Sequence, residues 1–73
     1  MIQLKVQQSS SIDYNLECYF NGYGSIEGWI RKVKLLPCVK DAKWVNGGEM
    51  ASSYTLITFE SEAHKTWFVL RWS

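Results

Sequence analysis

Ile12-Asp13-Tyr14-Asn15-Leu16-Glu17-Cys18-Tyr19-Phe20 is the stretch on which the fold turns. Read with a period of two, Ile12, Tyr14, Leu16, Cys18 and Phe20 share one face, and Asp13, Asn15, Glu17 and Tyr19 share the other. That alternation is the mark of a half-buried strand. Read with a helical period, Ile12, Leu16, Tyr19 and Phe20 form a stripe, but Tyr14 and Cys18 fall off it. Alternation accounts for more of the apolar residues, so a strand is predicted. Its inner face would carry the Cys18 thiol as a small inert hydrophobe. Asp13 and Glu17 would then lie on a solvated outer face.

Upstream, Ile2, Leu4 and Val6 alternate with Gln3, Lys5 and Gln7, and Ser9-Ser10-Ser11 is a polar break. Residues 2–20 therefore read as a hairpin. Downstream, Asn21-Gly22-Tyr23-Gly24 is turn chemistry and Ser25 an N-cap, with Glu27 placed to complement the helix dipole. Ile26, Trp29, Ile30, Val33 and Leu36 follow helical spacing, and Pro37 ends that helix. Residues 39–45 predict a third strand, with Ala42 and Trp44 on one face. Asn46-Gly47-Gly48 turns the chain into a loop that runs to Ser53. Tyr54 to Phe59 predicts a fourth strand. Ser61 caps a second helix whose inner stripe is read as Ala63, Trp67 and Leu70.

The resulting fold class is α+β in the order ββαββα. It is a four-stranded antiparallel sheet with two helices on one face, a circularly permuted ferredoxin-like arrangement. Residues 1–73 form one domain. The expected core is Ile2, Leu4, Val6, Ile12, Leu16, Phe20, Ile26, Ile30, Val33, Ile57, Phe59 and Trp67.

Seventy-three residues bury only about 60% of the surface their unfolded chain exposes. A 47% hydrophobic composition with four Trp, four Tyr and three Phe supplies a core without staples. A net charge of +1 argues against a strong non-specific nucleic-acid binder. Two separated cysteines, behind an alternating N-terminus that is neither a signal nor a membrane span, point to reduced thiols in the cytoplasm.

No group of residues assembles into a catalytic or cofactor motif, and neither a metal nor a cofactor is expected. The Asn21–Ser25 turn lies where a phosphate cradle would, but Glu27 replaces the third glycine of a dinucleotide fingerprint. His64, the sole histidine, has no CxxC or HxxxH partner for zinc and no nearby Cys18 or Cys38 in sequence for nucleophilic catalysis. Arg31, Lys32, Lys34, Lys40 and Lys43 form a basic cluster. With Trp44 or Tyr19 as a stacking platform, the lysines Lys32, Lys34, Lys40 and Lys43 would make a nucleic-acid site. The fourth strand, Tyr54-Thr55-Leu56-Ile57-Thr58-Phe59, lacks the basic-aromatic signature of RNA-recognition sheets. Trp67-Phe68-Val69-Leu70-Arg71-Trp72 is apolar nearly all round a helix, more than one sheet can cover. Phe68 and Trp72 would then either be wrapped or lie on an exposed patch.

The tail Ile57-Thr58-Phe59-Glu60-Ser61-Glu62-Ala63-His64-Lys65-Thr66-Trp67-Phe68-Val69-Leu70-Arg71-Trp72 resembles the ending of small accessory proteins of T4-like tailed phages. In these an acidic strand-to-helix step precedes an aromatic-Lys-Leu-x-Trp type close, and Val69 stands where the lysine is expected. The resemblance implies a virus-encoded, non-enzymatic protein of the host cytoplasm that binds and inhibits a host or defence factor. It carries over no functional residues. The expected function is therefore binding of another protein, a host factor or a second copy, through Phe68, Trp72, Met50 and Tyr23. Nucleic-acid binding is the rival reading, and no membrane is expected. On this reading Trp72→Ala leaves the fold intact.

Overall fold

A computed structural model describes residues 2–22, 24–48 and 52–73. Among them the chain runs β1 (Ile2–Gln7), α1 (Ser11–Tyr19), α2 (Ile26–Lys34), β2 (Asp41–Val45), β3 (Tyr54–Phe59) and α3 (Glu62–Trp72). The α+β class holds. The four-stranded sheet does not: the sheet has three strands in the order β1-β3-β2, and the supposed second strand is a helix. No helix among the described residues is long and apolar enough to cross a membrane.

The misread segment has a physical explanation. Ile12, Leu16 and Phe20 are four apart. Four is a multiple of two and lies close to the helical period of 3.6, so both templates claim these residues. Only Tyr14 and Cys18 discriminate, and both are exposed. Local hydrogen bonds then decide for the helix. The Ser10 hydroxyl at the N-cap accepts the Asp13 N–H at 3.3 Å, and the Asp13 carboxylate accepts the Ser9 N–H at 3.1 Å. Ser9 adopts φ 69° to make this turn. Together they form a variant of the reciprocal capping box. Cys18 therefore faces solvent rather than the core, and Asp13 is buried rather than solvated.

Asp13 Oδ1 has no hydrogen-bond partner among the described residues. Burial pushes this carboxyl above its ordinary pKa, the Ser9 N–H draws it part of the way back, and Glu17 adds to the rise. The folded chain thus holds this proton more tightly than the unfolded chain. The stabilisation is fully present below the ordinary carboxylate value and is lost as pH rises through the raised one. Asp13→Asn keeps an oxygen for the Ser9 N–H and removes the titration. Urea unfolding from about pH 4 upward should show a flatter stability–pH slope in the variant. An unchanged slope would assign the pH dependence to other groups.

β3 is the central strand, antiparallel to both neighbours, with Leu4 opposite Ile57 on one side and Ala42 opposite Ile57 on the other. This register turns Ile2, Leu4, Val6, Ala42, Trp44, Thr55, Ile57 and Phe59 to one face. The helices deliver Leu16, Trp29, Val33, Phe68 and Trp72 to that face. Gln3, Lys5, Gln7, Asp41 and Lys43 point to the other, which is open to solvent.

The core is threaded by aromatic rings in contact. Phe59 meets Phe68 at 5.3 Å between centroids, Phe68 meets Trp72 at 6.3 Å, and Trp72 meets Tyr19 at 5.0 Å. Tyr19 reaches Phe20 at 5.2 Å, and Phe20 meets Trp29 at 5.6 Å. Trp29 closes the chain by donating its Nε1–H to Thr55 Oγ1 at 3.1 Å. β3, α3, α1 and α2 are thus tied by side chains rather than by a fourth strand. Of the expected core, Ile26 and Trp67 are instead 46% and 44% exposed.

Candidate functional site

α3 begins where the Ser61 hydroxyl accepts the His64 N–H at 3.2 Å. That cap fixes where the helix starts. Phe68 and Trp72, four residues apart, enter the core at 0% and 5% exposure. The expected inner stripe is therefore reversed: Ala63, Trp67 and Leu70 form the outer face, with Trp67 44% and Leu70 76% exposed. The physical reason is area. An aromatic pair presents more apolar surface to the sheet than Ala63 with Trp67 and Leu70 does. Spacing does not separate the two stripes, because both follow the helical period.

Phe68 and Trp72 are consequently wrapped rather than set on an exposed patch. The Asn15 amide donates to the Trp72 carbonyl, and Arg71 stacks 4.4 Å from the Trp72 ring. Met50 and Tyr23, the other two expected anchors, lie outside the described residues. What the fold exposes instead is a line of Ala63, Trp67 and Leu70 at positions i, i+4 and i+7 of one helix.

The basic residues divide: Arg31, Lys34 and Lys43 border one groove, while Lys32 and Lys40 do not line it. Lys32 lies 6.0 Å from the Phe20 ring. Lys34 pairs with Asp41 at 3.4 Å, and both groups are largely exposed. The Asp41 carboxyl is held below its ordinary pKa, first by the Ala42 N–H and then by Lys34. Lys40 and Lys43 border a shallow depression on the open face with Gln3, Leu56 and Thr58. Trp44 alternates to the opposite face of β2 from Lys43, yet both border one groove with Lys34, apart from Lys32 and Lys40. That groove runs between α2 and β2 and is lined also by Ile26, Ile30 and Ala42.

Cys38 and His64 are far apart in sequence but border one small depression with Val39, Lys40 and Glu60. Cys38 is half-buried at φ 69°, and His64 Nδ1 is buried without a hydrogen-bond partner among the described residues. Among the described residues no group of three or more His, Cys, Asp or Glu could hold a metal ion. Both thiols are free.

No family model, curated protein or solved structure matches this chain.

Proposed function

We propose that this chain is a small non-enzymatic interaction module that docks another protein on the outward stripe of α3. The exposure of Trp67 and Leu70 carries the reading. A helix that is apolar on both sides is one that is covered on both sides in its working state. The fold covers the Phe68 and Trp72 side and leaves the Trp67 and Leu70 side to a partner. Tryptophan is also among the residue types that dominate binding energy when buried in an interface. The resemblance of the C-terminal segment to accessory proteins of T4-like phages supports a host or defence factor as that partner. A cytoplasmic site of action follows from the same reading.

The test uses the tagged full chain as bait in bacterial host lysate, beside a Trp67→Ala, Leu70→Glu double variant. Both substitutions are at exposed positions, so the unfolding midpoint should barely move. Capture of the partner should fall at least about thirtyfold, as the loss of a 2 kcal/mol hot spot requires. Undiminished capture by the folded double variant would overturn the assignment.

A further inference from the structure

A second surface lies at the other side of the sheet. β2 is an edge strand, paired with β3 and with no strand beyond it among the described residues. Ala42 and Trp44 turn toward the helices, while Asp41, Lys43 and Val45 turn toward the open face. α2 lies against β2 and leaves a groove along this edge, floored by Ile26, Ile30, Ala42 and Trp44. Its rim carries Arg31, Lys34 and Lys43 with Glu27, and Lys34 is shared with Asp41, which leaves an excess of one positive charge.

We infer that the β2 edge and the α2 groove form a docking site for an extended segment of another protein that alternates apolar and acidic residues. The alternation follows from the pleat. A strand added beside β2 would place every second side chain beside Ala42 and Trp44, over the Ile26 and Ile30 floor. The intervening side chains would lie beside Lys43 on the open face, near Lys40. Main-chain pairing supplies affinity in such an addition, and the alternate side chains supply specificity. A second copy would bring the same Arg31, Lys34 and Lys43 to the interface, so a dimer through this edge is the competing outcome of the test. An acidic segment meets complementary charge instead. This site is separate from the α3 stripe, because α2 packs on β2 whereas α3 packs on β1 and β3.

The probe is a fluorescein-labelled peptide Asp-Val-Glu-Ile-Glu-Val-Asp, titrated against the full chain by anisotropy and by amide chemical shifts. Its charge-reversed counterpart, Lys-Val-Lys-Ile-Lys-Val-Lys, is the control. The acidic peptide is expected to bind at least about tenfold tighter than the control. Shifts should concentrate at residues 41–45 and leave Trp67 and Leu70 unmoved. Lys43→Glu, at an exposed position, should keep the fold and cost about tenfold in affinity for the acidic peptide. Equal binding of both peptides, no binding, or shifts confined to other elements would each overturn the inference. So would a concentration-dependent dimer formed through these same amides, or single-stranded DNA binding at Lys43 more tightly than the acidic peptide. Loss of lysate capture through Trp67 and Leu70 would leave these readouts untouched, so the two proposals fail separately.

Discussion

Phe68→Ala and Trp72→Ala are each expected to take the domain to the edge of unfolding at room temperature. Phe68 is fully buried and Trp72 nearly so, and each touches two other aromatic rings. Truncating such a side chain costs about 3–5 kcal/mol. A domain of this length has only about 4–11 kcal/mol in total, at roughly 0.05–0.15 kcal/mol per residue. Either substitution therefore removes a large part of the margin. Trp72→Phe separates packing from hydrogen bonding. Trp72 Nε1 is buried without a partner among the described residues, so phenylalanine forfeits ring area but no hydrogen bond. Its cost should stay below about 1.5 kcal/mol. Urea unfolding followed by circular dichroism reads all three. A native-like midpoint for Trp72→Ala would restore the expectation drawn from the sequence, that this substitution leaves the fold intact. The contrast with Trp67 is the sharper comparison. The two tryptophans are five residues apart on one short helix, yet Trp67→Ala should scarcely change the midpoint, while Trp72→Ala should abolish the transition or bring it close to zero denaturant.

Most element positions were legible because local chemistry and pattern agreed. Ser25 and Ser61 cap the helices they were expected to cap. Pro37 follows the end of α2, and the alternation of Ile2 to Gln7 and the β-rich run Tyr54–Phe59 are strands. Two readings failed, both through degenerate periodicity. Residues 12, 16 and 20 fit a strand face and a helix stripe equally, so the apolar pattern alone was insufficient there. The discriminating signal was polar: Ser10 followed three residues later by Asp13 is a helix start. In α3 the pattern fixed the helix but not its phase, because apolar residues lie all round it. The phase came from tertiary packing of Phe68 against Phe59, which no local rule contains. The functional consequence is large. Phe68 and Trp72, which were expected at the surface, are buried, and Trp67 and Leu70, which were expected on the inner stripe, are exposed. The α2–β2 groove was not legible at all. It depends on β2 being an edge strand with α2 packed against it, which is a property of the assembled sheet. Its basic rim was visible only as a sequence cluster.

The identity of residues 11–19 as a helix yields the other large effect, and it sets two neighbours against each other. A strand would bury Leu16 and Cys18 alike, since both are even positions of one alternation. The helix buries Leu16 at 1% exposure and leaves Cys18 in solvent. Leu16→Ala should then cost about 2–5 kcal/mol, the range for a buried leucine whose cavity closes only in part. Cys18→Lys should change stability by no more than about 0.5 kcal/mol, as at other exposed positions. A strand would give the opposite result at Cys18, because a lysine ammonium forced into a core costs several kcal/mol. Asn15→Pro adds an independent reading. It removes a helical N–H, drives a ring into the preceding turn and loses the Asn15 bond to the Trp72 carbonyl, for a combined cost of about 4 kcal/mol. Asn15→Ala keeps the helix and loses only that bond, for about 1 kcal/mol. Thiol labelling of the native protein completes the comparison. Cys18 should react with a bulky disulfide reagent without prior unfolding, and ahead of the half-buried Cys38. Reaction of Cys18 only on global unfolding, together with a destabilised Cys18→Lys, would return this segment to the sheet and dissolve the aromatic chain that joins Tyr19 to Trp72.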